Sequence, residues 1–274
     1  MGNKTNMYRH SVKQWNPFVG CKHDCKYCLS SFQAQLKRWA KSKCRECYSF
    51  VPHEHDERLD QSLPNTKYAQ FIFACSSGDI TFCCTPYLEK IIARIRSEPN
   101  KTFLIQSKNP RTFNRVKFPD NVILGTTLES NRDDLCEGIS KAPKPSLRYR
   151  DFLEVKHPVK MVTIEPVMDF DLDVMTAWME NINPCMVWLG YDSRKSHLPE
   201  PDLEKVKRLY WELGVRGFTV ALKKIRKAWW EQANEMKQAD NTDARKSGHK
   251  NLTGNGGVTS NKEQGQIVER SIHG

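Results

Sequence analysis

The chain has 274 residues, 38% hydrophobic and 27% charged, with a formal net charge of +11 and ten cysteines. That length buries a core without cross-links, so small size does not force the cysteines into a structural role. No apolar run approaches the ~18 residues of a membrane span, and the opening MGNKTNMYRHSVKQW lacks the apolar stretch of a signal peptide, so a soluble, cytoplasmic protein is expected. In a compartment that keeps thiols reduced, ten cysteines point to metal ligands, buried thiols or redox chemistry and away from disulfides.

The positive charge is uneven. Residues 1–50 carry ten Lys/Arg against Asp24 and Glu46, whereas 236–274 carry six against four. Clustered positive charge suits an anionic partner, nucleic acid included; it suits equally a solvated face that offsets a negatively charged cluster.

In chain order, an initial strand is predicted near Tyr8–Trp15 and a helix over Phe32, Leu36 and Trp39. Six runs follow that are continuously apolar, which predicts buried parallel strands: Phe71–Cys75, Phe103–Gln106, Val122–Gly125, Met161–Ile164, Met186–Gly190 and Phe218–Leu222. Between them, Leu88, Ile91, Ile92 and Ile95 repeat at helical spacing after Thr85-Pro86, read as a cap followed by proline at the first helical position. Met175, Trp178, Met179 and Ile182 make a second such helix, and Leu203, Val206, Leu209, Tyr210 and Leu213 a third after Pro201. Six or seven βα units fall short of the ~250 residues of a closed eight-fold barrel, so the expected fold class is α/β, a partial, open (β/α)6-type barrel. The barrel domain is expected over 1–236, with a Cys/His-containing insertion at about 41–60. Residues 237–274 are rich in Asn, Thr, Gly, Ser, Lys and Gln, and read as a disordered polar tail.

Chemistry concentrates in Trp15-Asn-Pro-Phe-Val-Gly-Cys21-Lys-His-Asp-Cys25-Lys-Tyr-Cys28. Three thiolates leave one iron of a four-iron cubane open to another ligand, which turns an electron carrier into a catalyst. The same residues can instead hold zinc with a fourth ligand, or cluster by chance. The Cx3CxxC spacing with Tyr27 before the last cysteine resembles the signature of the radical S-adenosylmethionine (SAM) superfamily. That resemblance implies a 4Fe-4S cluster on Cys21, Cys25 and Cys28, SAM on the open iron, and reductive cleavage to methionine and a 5′-deoxyadenosyl radical. It also implies a reductant protein such as a ferredoxin or flavodoxin as partner.

Ligands of barrels gather at the carboxyl ends of the strands. There Ser76-Ser77-Gly78-Asp79 resembles the Gly-rich acidic motif that receives the SAM amino group in this superfamily. Lys108 is placed to pair with the SAM carboxylate, and Thr126-Thr127-Leu128-Glu129-Ser130 to meet ribose or methionine groups. Glu165-Pro166 and Tyr191-Asp192-Ser193 complete the ring; each alone reads equally as a cap or polar loop. Residues 10–230 resemble a little-characterised radical SAM family of phages and archaea, distantly related to spore photoproduct lyase. The matches are Trp15 to Cys21, Cys75 to Asp79, Ser107 to Pro110, Glu165-Pro166 and Lys223 to Trp230. In that lyase a cysteine donates hydrogen to the product radical; Cys75, Cys83, Cys84, Cys136 and Cys185 are candidates here and none is singled out.

A second group, Cys44-x-x-Cys47 with His53 and His55, offers four ligands within a dozen residues for zinc or an auxiliary iron–sulfur cluster, the alternative being a buried thiol pair beside exposed histidines. The expected function is therefore radical SAM catalysis on an unidentified substrate, nucleic acid first and a peptide or protein second. The competing class is a non-catalytic, zinc-stabilised nucleic-acid-binding protein.

Overall fold

The computed structural model describes residues 7–28, 43–194 and 196–236, so the expected helix over Phe32–Trp39 and the expected tail 237–274 lie outside the described residues. The chain divides into two compact units, 1–229 and 230–274, and the described part of the second, 230–236, is helical.

Among the described residues the first unit has nine strands: β1 (Ser11–Trp15), β2 (Phe18–Val19), β3 (His53–Glu54), β4 (Phe71–Ala74), β5 (Phe103–Gln106), β6 (Val122–Thr127), β7 (Lys160–Ile164), β8 (Met186–Leu189) and β9 (Val220–Leu222). Seven of them form one parallel sheet in the order β1-β4-β5-β6-β7-β8-β9, while β2 and β3 pair as a small antiparallel ribbon. The sheet curls into an open half-barrel, compatible with the expected partial barrel, with β1 and β9 at its two edges. The expected initial strand and the six apolar runs all join this sheet, β1 pairing with β4.

Both faces of the sheet are buried, which is why its strands read as unbroken apolar runs. On one face Tyr8, Phe71, Phe73, Leu104, Met161, Trp188 and Ala221 make one cluster, joined by Ile123 and Met186. The alternate residues, among them Ile72, Ile105, Leu124, Val162, Ile164, Val187 and Leu189, are buried on the other. Helices α2 (Thr85–Arg96), α4 (Leu172–Ile182) and α5 (Leu203–Val215) connect the strands and bury their apolar stripes, Leu88, Ile91, Ile92 and Ile95 in the first case. Helix α2 begins one residue earlier than expected: Cys84 is the cap and Thr85 already helical, so Pro86 lies within the first turn. The short α1 (Arg45–Ser49) sits in the 41–60 insertion, and α3 (Pro145–Glu154) was not apparent from periodicity. Between β5 and β6 the link is a 3-10 turn, Pro110–Arg115, so the βα alternation lapses there. Among the described residues no helix is long and apolar enough to cross a membrane.

Tyr8, from the segment before β1, fills the half-barrel. Its ring packs on Trp188 at 4.9 Å and Phe73 at 5.4 Å, and its hydroxyl donates to Gln106 Oε1 at 2.6 Å and lies 2.9 Å from Thr163 Oγ1. Burial pushes the Tyr8 phenol far above its ordinary range, so it stays a neutral donor. Replacing it by phenylalanine would strand the Gln106 and Thr163 oxygens. We expect Tyr8→Phe to lower stability by about 1–3 kcal/mol in urea denaturation; an unchanged midpoint would show that the hydroxyl contributes nothing.

Candidate functional site

The sequence Trp15 to Cys21 folds as it does because each residue has an anchor. The Trp15 indole donates to Arg58 O at 2.7 Å, and Asn16 Oδ1 accepts from Ser77 N at 2.9 Å and Ser76 Oγ at 3.1 Å. Pro17 O accepts His55 N at 2.7 Å, and Phe18-Val19 pair with Glu54-His53. Gly20 then turns at φ 101°, a left-handed conformation that glycine supplies without strain. A Cβ there would lie 2.3 Å from Val51 O, so the close approach itself demands glycine. Gly20 N donates to Ser77 O at 3.0 Å and Gly20 O accepts Asp79 N at 3.2 Å, which seats Cys21 beside the end of β4.

The cysteine loop continues across the carboxyl ends of the strands. Cys25 is buried and Cys21 and Cys28 half-buried, and both Cys25 and Cys28 oppose ionisation of Cys21. Burial pushes Cys21 up most, with Asp79 adding to it; burial and Cys25 push Cys28 up to about 11, against the pull of Lys108 and Arg194. A positively charged metal centre would favour the anionic form of such crowded thiols. The loop is docked on 139–141: Lys26 N donates to Ile139 O at 2.9 Å, Lys141 N to His23 O at 2.6 Å, and Cys25 Sγ lies 3.0 Å from Ser140 Oγ.

The two rings inside the motif each find a buried carboxylate. His23 Nε2 donates to Asp79 Oδ2 at 3.0 Å. Asp79 also accepts from Ser107 Oγ (2.6 Å), Lys108 N (2.8 Å) and Thr81 N (3.0 Å). Burial works against its charge, but His23, Ser107 and the Thr81 amide outweigh it and hold the carboxyl below its usual range. All four of its acceptor positions are therefore occupied by protein donors, which makes Asp79 a positioning residue of this mouth.

Tyr27, the second ring, donates its hydroxyl to Glu129 Oε1, which also takes the Lys108 ammonium. Arg148 NH1 lies 2.7 Å from Glu129 Oε2 and donates to Thr127 O at 2.5 Å. Burial opposes the Glu129 charge, yet Arg148 and Lys108 together bring its pKa down to about 2. Glu129 Oε2 is buried against the Arg148 guanidinium, so the carboxylate is held between Lys108 on one oxygen and Arg148 on the other. Glu165 pairs with Lys223, and Asp192 binds its own loop through Arg194 N and Ser196 N, both at 3.0 Å.

Of the residues expected from sequence, the structure thus gathers Cys21, Cys25, Cys28, Asp79, Lys108 and Glu129 at one mouth, and gives the Ser76 hydroxyl and Ser77 amide to Asn16. His23, Arg148 and the Gln106–Thr163 pair around Tyr8 were not anticipated; His23 was signalled only by standing between two motif cysteines. Among the candidate hydrogen donors, Cys136 packs with Ile139, Met168 and Leu198 against Tyr27, whereas Cys185 precedes β8 and so lies at the opposite end of the sheet from the mouth. Separately, Cys44, Cys47, His53 and His55 place one ligand atom each within 4.8 Å of one another, a group that can bind a metal ion.

The fold is a half-barrel of parallel strands with a three-cysteine loop beside their carboxyl ends. The chain belongs to the family described as Protein of unknown function (DUF5131), whose model matches residues 6–183 and so covers the cysteine loop, the Cys/His group, Asp79, Lys108 and Glu129. A comparison with curated proteins finds no match.

Glu129→Gln would leave Arg148 buried without its countercharge. A loss of about 3–5 kcal/mol is expected in chemical denaturation at neutral pH. Because the folded carboxyl titrates near 2 against an ordinary 4.5, its stabilisation is present above 4.5 and fades as pH falls toward 2, so the gap between wild type and variant narrows over that range. A gap independent of pH would show that the charge is not what matters.

Proposed function

We propose that this protein is a radical SAM enzyme in which Cys21, Cys25 and Cys28 hold a 4Fe-4S cluster with one open iron. The observation that carries the reading is the position of the loop: three crowded thiols at the mouth of a parallel half-barrel, held from either side by His23 on Asp79 and Tyr27 on Glu129. When bound, the cluster and SAM together supply one-electron cleavage of the sulfonium, giving methionine and a 5′-deoxyadenosyl radical.

The chain's own groups do the positioning. Lys108 and Arg194 favour the thiolate form of Cys28, and Lys108 offers its ammonium to a ligand carboxylate in competition with Glu129. Glu129, itself held by Arg148, positions that ammonium and so helps to place SAM. Asp79, being saturated, acts on SAM through the loop and strand ends that it holds. Exposed Lys22, Lys26 and Arg194 around the loop favour an anionic substrate, nucleic acid ahead of a peptide or protein. Electrons come from a reductant protein of the ferredoxin or flavodoxin kind.

Anaerobic reconstitution should give iron and sulfide at about four each per chain, and 5′-deoxyadenosine on reduction with SAM, both lost when the three cysteines become alanine. A second reading, a zinc-stabilised nucleic-acid-binding protein without catalysis, draws on the Cys44–His55 group and the basic first fifty residues. It predicts salt-dependent binding to nucleic acid and zinc without labile sulfide. Wild-type protein that takes up no iron and forms no 5′-deoxyadenosine would overturn the first reading in favour of the second.

A further inference from the structure

We propose that Cys44, Cys47, His53 and His55 hold a single zinc ion in a closed, four-ligand site whose job is to set the β2–β3 ribbon and, through it, the Gly20–Cys21 turn. This stands whether or not the cysteine triad carries a cluster.

The geometry is that of one ion. Cys44 Sγ lies 3.4 Å and Cys47 Sγ 3.2 Å from His53 Nε2, Cys47 Sγ lies 3.1 Å from His55 Nε2, and the two Nε2 atoms are 2.8 Å apart. A tetrahedron with zinc–sulfur bonds of about 2.3 Å and zinc–nitrogen bonds of about 2.05 Å has edges of roughly 3.3–3.8 Å, so these four separations need to open by about half an ångström or less. Ligands of a multi-iron cluster stand on different irons and point outward, and four such atoms do not converge within 4.8 Å. Two thiolates and two imidazoles are a donor set that zinc takes in tetrahedral form.

The second ring nitrogens decide the protonation. His53 Nδ1 is 2.7 Å from Val51 O and His55 Nδ1 is 2.8 Å from Glu57 Oε1. A carbonyl and a carboxylate only accept, so both histidines carry a proton on Nδ1, which in the neutral ring leaves Nε2 as the lone pair that a metal ion takes. Two such nitrogens 2.8 Å apart need a proton or a metal ion between them, and the thiols of Cys44 and Cys47 facing the same point favour the metal. Carbonyl or carboxylate behind each imidazole is also how metal-bound histidines are oriented. Cys47 N donates to Cys44 Sγ at 3.3 Å and Arg58 NH2 approaches Cys47 Sγ at 3.9 Å, so both thiolates have donors. Zinc with two thiolates and two neutral imidazoles has no net charge, which suits the buried Cys47 and His55.

The consequence reaches the cysteine loop. His53 is itself the strand partner of Val19, the residue before Gly20, and His55 N holds Pro17 O. The ion therefore clamps the CxxC of α1 onto the ribbon that carries the chain into Cys21.

The test uses full-length protein in which Cys21, Cys25 and Cys28 are alanine, so that the triad contributes no metal. We expect about one zinc per chain by elemental analysis and no labile sulfide, with the zinc lost on adding Cys47→Ala or His55→Ala. Should those variants fail to fold, chelator-treated wild type is titrated with Co2+, which should give saturable tetrahedral and thiolate charge-transfer absorption at about one equivalent. Removing zinc should also speed amide exchange at 18–20 and 53–55. Absence of zinc together with no saturable cobalt binding, residual iron with sulfide at this group, or exchange unchanged by zinc removal would each overturn the proposal. Loss of iron from wild type with zinc retained would instead count against the radical SAM reading alone.

Discussion

A carboxylate buried at the mouth of a half-barrel is tolerable only if its lone pairs are filled. Asp79 is filled by donors that come from different parts of the chain: the His23 ring from the cysteine loop, the Thr81 amide from its own turn, and the Ser107 hydroxyl and Lys108 amide from the end of β5. Those bonds lock three stretches of backbone into one arrangement. The position of the thiols at the strand ends depends on that lock, as does the direction in which Lys108 leaves its strand.

Lys108 links this carboxylate to the next. Its amide serves Asp79 while its ammonium serves Glu129, and Glu129 in turn takes Tyr27 from the loop and faces Arg148 from α3. The motif Cys21-Lys-His-Asp-Cys25-Lys-Tyr-Cys28 is thus held at both of its non-cysteine rings. Asp79 and Lys108 set the charge around the thiols: Asp79 discourages ionisation of Cys21, whereas Lys108 encourages that of Cys28. Such an arrangement suits a cation drawn between the thiols better than three free thiolates, and it underlies the proposed cluster.

Much of this fold was legible because burial on both faces turns a strand into an uninterrupted apolar run, and six such runs stand out from their polar surroundings. Their ends were less so: β6 extends through Thr126 and Thr127, whose hydroxyls hide a strand end. Helix α3 escaped notice because the residues it buries include Arg148 and Asp151, so its inward stripe is charged where periodicity looks for apolar side chains. The β2–β3 ribbon is two residues long on each side, too short to carry any period. At the site, the types of residue were readable and their pairings were not. Lys108 and Glu129 each looked like a ligand contact, and only the fold shows that they bind each other. The Cys44 to His55 group had the reverse character, since its spacing fits no standard finger while its ligand atoms converge.

The proposed cluster on Cys21, Cys25 and Cys28 would keep one iron open to SAM. Electron paramagnetic resonance of the reduced, reconstituted protein with and without SAM tests it most directly. The account predicts a reduced-cluster signal that changes shape when SAM is added, and that vanishes when Cys25 is replaced by alanine. A cluster signal indifferent to saturating SAM, or one that survives loss of Cys21, Cys25 and Cys28, would contradict it.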